Sequence, residues 1–311
     1  MPTYLYCLFS KESNKISEDT ESPRNHGTKI MASLELEARL ENLLNTAQKE
    51  TKDIDLFGSI PEKEECPICL IPLPINKDEI CFMSCCAKFI CQGCSYKEVL
   101  TGINNGLSEH ALLNEQKCAL CRQVMKGKNI MKQRKKLIKK NNANAYIQMA
   151  CLYRDGEEGL IQSYTRSLEM SIKAAELDHF EAFVMIGWYY EEGIVVEDDT
   201  SKALEYYEVA AKKGSVLGHL ELSRFYEEMG PMGDMQRVDH LKVVAKAGDQ
   251  ESMDNLMKAY KDNLLSKEEL TQTLREFQIS NDKMKSKDRD DLRSFMARIS
   301  DLPDPPDDFG L

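Results

Sequence analysis

From about residue 144 the chain repeats itself, and that repetition limits the folds open to it more than any other feature. Aligned, the stretches ANAYIQMACLYRDG, FEAFVMIGWYYEEG, VLGHLELSRFYEEMG and QESMDNLMKAYKDN carry small residues at Ala145, Ala182, Gly218 and Ser252. Four positions on come Met149, Ile186, Leu222 and Leu256, and four further come Tyr153, Tyr190, Tyr226 and Tyr260. Successive copies are offset by 37, 36 and 34 residues. An i, i+4, i+8 stripe is one face of an α-helix. A second register, Ala175, Ala211 and Ala245, recurs at 36 and 34 residues and ends near Asp178, Gly214 or Gly248. Glycine there suits the left-handed cap of a helix. Each copy is therefore two helices with small residues at the crossing, where helices approach closely. One such hairpin leaves its apolar face in water, whereas a stack buries it. The tyrosine stripe reads as core rather than as a ligand groove. His179, His219 and His240 fall in the repeats with no common partner, so neither a metal nor a catalytic role is expected of them.

The block IGWYYEEGIVVEDDTSKALEYYEVAAKKG, with Gly193, Asp199 and Lys202-Ala203-Leu204, resembles the Sel-one-like branch of the tetratricopeptide superfamily. The first copy departs from that pattern, with Ser167 for the helix alanine and Asp178 for the terminal glycine. The third reads MGPMGDM between its helices, so an altered turn is expected there. The fourth reads as a cap: Ser266 and Glu269 form a capping box, and the helix that follows is polar.

Ahead of the repeats lies a second pattern. Three Cys-x-x-Cys pairs, Cys66/Cys69, Cys91/Cys94 and Cys118/Cys121, fall within 56 residues, and the adjacent pair Cys85 and Cys86 brings the set to eight. Two thiolates from one turn can reach the same tetrahedral ion. A redox dithiol needs a thioredoxin-like strand and helix, which is missing here. Eight cysteines suffice for two closed four-thiolate sites.

The order, C-x2-C, fifteen residues, C-C, four residues, C-x2-C, twenty-three residues, C-x2-C, with ECPICL at its start and CALCR at its end, resembles a RING finger. In that family the ligand pairs interleave. The resemblance therefore assigns Cys66, Cys69, Cys91 and Cys94 to a first zinc and Cys85, Cys86, Cys118 and Cys121 to a second. It also implies a cross-braced fold that depends on metal. The family's usual histidine falls on Lys88, and Cys85 takes its place; Lys88 is expected to offset the charge of the second site. His110 is a poor second candidate for ligand, and Cys81 reads as a small buried residue.

RING fingers commonly act as ubiquitin ligases by orienting a ubiquitin-conjugating enzyme. The resemblance implies that Ile68 offers that enzyme an apolar contact and that Arg122 hydrogen-bonds enzyme and ubiquitin together. Against ligase activity, Ala119 stands where the family usually has proline, and no aromatic residue sits at the expected groove position. The combination is similar to a family of RING-plus-repeat proteins of marine algae.

Composition bounds the rest. The chain has 311 residues, 11 cysteines and a net charge of −11. No apolar run approaches the eighteen residues of a membrane span. The opening YLYCLF lacks the basic flank and cleavage site of a signal peptide. An odd cysteine count clustered in one window points to a reducing compartment, so a cytoplasmic or nuclear location is expected. Residues 126–140 hold eight Lys or Arg and no acid, leaving −11 − 8 = −19 for the remainder. Such a strip reads chiefly as a solvated linker helix with an apolar edge at Ile130, Met131, Leu137 and Ile138; nucleic-acid binding is the remote alternative.

The expected fold is thus mainly α: a small cross-braced zinc module followed by an α-solenoid of helical hairpins, between disordered termini. The expected boundaries are a tail over 1–32, an amphipathic helix over 33–58 capped by Ser33, a zinc finger over 60–125, a basic linker helix over 126–143, the solenoid over 144–300 and an acidic Pro-rich tail over 301–311. Met31 is a possible translation start. The expected function is a ubiquitin ligase whose repeats bind a substrate or scaffold protein, or else a zinc-dependent interaction scaffold without transfer activity.

Overall fold

The computed structural model describes residues 26–58, 63–76, 79–97, 117–123 and 127–300. The expected acidic tail over 301–311, residues 1–25 and His110 lie outside them. The first helix, α1, spans His26–Glu50. It begins within the stretch expected as tail, so Ser33 is interior to a helix rather than its cap; residues 28–32 contain no helix breaker.

Two short strands follow, β1 (Ile80–Met83) and β2 (Lys88–Cys91), paired antiparallel with Cys81 opposite Ile90 and Met83 opposite Lys88. Helix α2 (Gly127–Ile138) leads into the repeats. These are α3 (Ala143–Asp155) with α4 (Tyr164–Ala175), α5 (Phe180–Glu192) with α6 (Thr200–Lys212), and α7 (Val216–Glu228) with α8 (Asp234–Lys246). Helices α9 (Gln250–Lys261), α10 (Lys267–Met284) and α11 (Lys287–Ser300) complete the chain. Consecutive helices pack as antiparallel hairpins and each hairpin packs on the next, giving a solenoid.

The local chemistry of the hairpins is as periodic as the stripe. Asn142, Ser163, Asp199, Ser215, Asp249 and Ser266 each stand at a helix N-cap, and each accepts the backbone N–H of the residue three positions on. A cap of this kind contributes about 1 kcal/mol. Ser266 and Glu269 form the expected reciprocal box. The second helices of the hairpins end on left-handed residues, Asp178 at φ 62°, Gly214 at φ 95° and Gly248 at φ 101°. Asp178 does the work of the missing glycine, because a short polar side chain tolerates that conformation better than a branched one. Ser167 is buried, and its hydroxyl donates to the Ala150 carbonyl at 2.6 Å, so this departure from alanine adds a hydrogen bond between the two helices of its hairpin.

The altered third turn is a single 3-10 turn, Gly230–Met232. Gly233 closes it so tightly that a Cβ there would lie 2.2 Å from the Tyr226 carbonyl oxygen.

Ala145, Ala182, Gly218 and Ser252 are all buried, as are Met149, Ile186, Leu222 and Leu256. The tyrosine row is graded instead. Tyr190 is buried, Tyr153 and Tyr226 are half-buried, and Tyr260, in the last copy, is exposed.

Helix α1 belongs to this core and not to the cysteine module. Leu40, Leu44 and Ala47 join the main cluster around Phe183, Tyr190 and Tyr206. The Tyr206 hydroxyl donates to the Leu40 carbonyl at 2.7 Å, Gln48 donates to Glu205 at 2.9 Å, and Lys213 pairs with Glu50 at 3.1 Å.

The basic helix α2 is only partly solvated. Ile130 is buried, and so is Arg134, which pairs with Glu158. Burial of one cation against an acid of the first hairpin pins the helix, which a reading from composition misses.

Nor are the histidines all separate. His219 and His240 are buried with their Nδ1 atoms 3.0 Å apart, so one ring donates and the other accepts. Phe57 lies 5.0 Å from the His240 ring, and Tyr226 stacks on it at 5.6 Å. His179 instead meets Asn144 at 2.9 Å.

Two measurements test this packing. A side chain at Gly218 would put its Cβ 2.7 Å from the Ala211 nitrogen and 2.9 Å from the Tyr207 oxygen. Gly218→Val is therefore expected to lower stability in urea titration by about 1–3 kcal/mol, the usual cost of overpacking. Burial lowers His219 to about 4, and burial together with His219 lowers His240 to about 3. Below the unfolded value near 6.5 the unfolded chain binds the protons, so stability is lost as pH falls from about 6.5 towards 4. The loss at pH 5 is about 2 kcal/mol for each ring. Thermal melts at pH 7 and pH 5 should show this drop, and the His219→Phe, His240→Leu double variant should flatten it.

Candidate metal centre

Three tight turns, a strand and a helical turn place the eight cysteines of the candidate sites. In the first, the Leu70 N–H donates to the Cys66 carbonyl at 2.8 Å and the Cys66 N–H to Ile71 at 3.0 Å. In the second, Arg122 donates to Cys118 at 2.9 Å and Cys118 to Gln123 at 2.8 Å. The residue after the second cysteine is left-handed in both, Leu70 at φ 58° and Arg122 at φ 61°. Two segments about fifty residues apart thus share one backbone geometry. The third turn joins β1 to β2: Ala87, at φ 54°, donates to the Met83 carbonyl at 2.8 Å and leaves Cys85 and Cys86 at the hairpin tip. Strand β2 delivers Cys91, and the helical turn over residues 92–97 delivers Cys94.

These turns assemble two sets of sulfurs: Cys66, Cys69, Cys91 and Cys94, and Cys85, Cys86, Cys118 and Cys121. Within each set all sulfurs lie within 4.8 Å of one another. The sets interleave along the chain, so each draws on segments on both sides of a segment used by the other. Separations are 3.9 Å for Cys69 to Cys91 and 3.8 Å for both Cys85 to Cys86 and Cys86 to Cys118. A disulfide needs about 2.05 Å. Four sulfurs placed about 2.3 Å from a central ion in a tetrahedron lie about 3.8 Å apart. The observed spacing fits the second arrangement, so both sets could hold a metal ion.

Crowding sets the thiols against one another. The hydrogen bond with Cys91 takes Cys66 down to about 4 against the opposing effect of burial, and it pushes Cys91 up. Cys94 is pushed up to about 12, chiefly by desolvation. In the second set desolvation leads in raising Cys85, and in taking Cys86 to about 12, with the facing thiols adding to it. Cys121, the one exposed member, is desolvated too, but the Gln123 N–H and the neighbouring thiols bring it down to about 7. A divalent ion removes this conflict by letting four thiols ionise around it.

Other sequence-predicted positions separate from these clusters. Lys88 is exposed on β2, across from Met83. Cys81 is half-buried and joins neither set; burial raises its thiol to about 11. Ile68 packs against the cysteine core from the first turn, and Arg122 stands exposed at the end of the second.

The module is tied to the solenoid at several points. Ser84 donates to Gln133 of α2 at 3.0 Å. Lys63, lowered to about 8 by burial and by Arg289, donates to the Ala247 carbonyl at the end of α8. Lys97 pairs with Asp288 at 3.0 Å, and Arg293 with Glu79 at 2.9 Å.

Known proteins resemble the helical part of the chain. A family model described as the Sel1 repeat matches residues 143–179 and 182–215. The first two hairpins of the solenoid match the Sel1 repeat. The matched stretches include the departures of the first copy at Ser167 and Asp178. The chain is similar to a solved Sel1 repeat protein from Oxalobacter formigenes, at 22% identity over 41% of this chain and 97% of that one, with a TM-score of 0.35. It is also similar to a protective antigen of uropathogenic Escherichia coli strains described as displaying an SLR fold. There the identity is 15% over 67% of this chain and 53% of the other, with a TM-score of 0.34. No curated protein matches. Among the described residues no helix is long and apolar enough to cross a membrane.

The clusters predict two divalent ions per chain in native mass spectrometry, one fewer in Cys86→Ser, and weaker binding as pH falls from 7 to 5. Binding must displace thiol protons, so acid competes with metal. Stoichiometry that is the same in wild type and Cys86→Ser would remove the second site.

Proposed function

We propose that the chain is a zinc-dependent interaction protein in which a RING-type module recruits a ubiquitin-conjugating enzyme and the Sel1 repeats hold a substrate or scaffold protein. The observation that carries this reading is the interleaving of two four-cysteine clusters on matched turns, with Ile68 in the first turn and Arg122 closing the second. Four thiolates favour zinc over harder ions. Bound zinc supplies folding free energy rather than reaction chemistry, about 10–16 kcal/mol for a structural site.

In this reading no residue of the chain acts as a covalent catalyst. The lysine amine of a substrate attacks the thioester on the conjugating enzyme, the carbon–sulfur bond breaks, and the thiol leaves. The chain contributes position. Ile68 presents an apolar contact, and Arg122 bridges enzyme and ubiquitin by hydrogen bonds that restrict the thioester to reactive orientations. The partner surface of the repeats lies away from Tyr190, since α1 covers that part of the tyrosine row.

A second reading, an interaction scaffold without transfer, draws on Ala119. It replaces the proline that stiffens the last turn in the family, and it packs half-buried against the cysteine core. The nucleic-acid alternative is the weakest, since Arg134 of the basic strip is buried against Glu158.

Zinc-loaded full chain, incubated with ubiquitin, activating enzyme, ATP and a panel of conjugating enzymes, separates the two. Autoubiquitination that falls about tenfold or more in Ile68→Ala and in Arg122→Ala, at unchanged zinc stoichiometry, supports the ligase. Zinc-loaded protein inert with the whole panel rejects the ligase and leaves the scaffold.

A further inference from the structure

The first cysteine cluster touches a residue from the far end of the chain. Arg289 lies in the first turn of α11 and is 3% exposed. Its Nη2 donates to the Ile71 carbonyl at 3.4 Å and lies 4.0 Å from the Cys69 sulfur, while Nη1 donates to the Met284 carbonyl at 2.9 Å. Its charge also favours the ionised form of Cys91, against the larger raising effects of Cys66 and burial. Its Nε is buried without a hydrogen-bond partner among the described residues.

The backbone of α11 rests directly on the cluster. A Cβ at Gly93, between Cys91 and Cys94, would lie 2.7 Å from both the Asp288 carbonyl carbon and the Arg289 nitrogen. Only a residue without a side chain lets the helix approach so closely.

A buried guanidinium is costly unless an anion faces it. Near it on α11, Asp288 pairs with Lys97 and Asp290 with Arg293. The Lys63 ammonium, also on this side, is a like charge. What Arg289 faces is sulfur. Four thiolates around a divalent ion carry a net charge of about −2, which a cation in hydrogen-bonding distance offsets.

We propose that Arg289 is the counter-ion of the first metal site, so that the site is complete only with α11 docked and metal loading holds the C-terminal helix on the module. The proposal rests on the metal reading of the clusters and concerns one site of the two. Loss of the ion removes the four-thiolate anion that the buried guanidinium faces, and the helix is then released. Conversely, a chain with α11 undocked keeps its four cysteines but binds the first ion more weakly. Among the described residues no hydrogen bond joins α11 to the second cluster, which makes that cluster an internal control.

Zinc competition against a chromophoric chelator, on the full chain, tests this. Arg289→Met, similar in length but uncharged, is expected to weaken one of the two zinc ions about 10–100-fold and to leave the other unchanged, the usual range for a partner one shell beyond the ligands. Arg289→Lys should recover part of the loss. Hydrogen exchange then reads the reverse direction. Residues 287–300 should lose protection in Cys66→Ser, which removes the first site, and keep it in Cys118→Ser, which removes the second. These two arms remain decisive even where Arg289→Met folds poorly. Equal affinities in wild type and Arg289→Met, or equal exchange of α11 in both cysteine variants, overturns the proposal while two bound zinc ions keep the metal reading. Wild type that binds no zinc overturns both.

Discussion

Close approach of helices at small residues is the constraint on which the rest of this structure depends. The first helix of each hairpin carries Ala145, Ala182, Gly218 or Ser252 at the crossing, all buried. Gly187 does the same one turn further along α5, where a Cβ would meet the Tyr207 ring at 2.6 Å. Because backbones come this near, larger side chains interlock on either side and one continuous core forms from α1 to α7. Everything placed later inherits that spacing: the seat of α1 on α6, the apposition of His219 and His240, and the position of α10 and α11 beneath the cysteine module.

The cysteine module is therefore no independent bead on a string. It is gripped by α2, which enters the solenoid, and by α8, α10 and α11, which leave it. Individually such exposed ion pairs contribute little. Buried contacts, the Arg289 guanidinium and the glycine at position 93, fix the orientation. In a protein read as presenting two partners to one another, a rigid joint sets their separation as firmly as a third domain.

What could be read from the sequence was what repeats or what is local. The hairpins follow from a period, the N-caps from residue type and place, and the pairing of Cys66 with Cys69 from a turn. Interleaving of the cysteine sets followed from resemblance rather than from spacing. The misses share one cause: they join elements far apart in the chain and leave no period. Arg289 sits 220 residues from Cys69, Arg134 looked like one charge among eight, and His219 and His240 belong to successive helices whose facing was not visible. The start of α1 was missed for a simpler reason. Composition marked 1–32 as polar and mixed, yet the five residues from Thr28 to Ala32 contain no helix breaker.

The long reach of α1 has a consequence for how the protein is made. Its hydrogen-bond partner Tyr206 lies 166 residues downstream of Leu40. At ordinary ribosomal speeds, about 5–20 residues per second, α1 waits on the order of ten to thirty seconds before α6 exists to receive it. During that interval Leu40, Leu44 and Ala47 form an uncovered apolar ridge, and the cysteines of both clusters emerge while it stays uncovered. The ridge that ends buried against α6 is, during synthesis, exposed apolar surface of the kind that leaves a folding chain prone to aggregate.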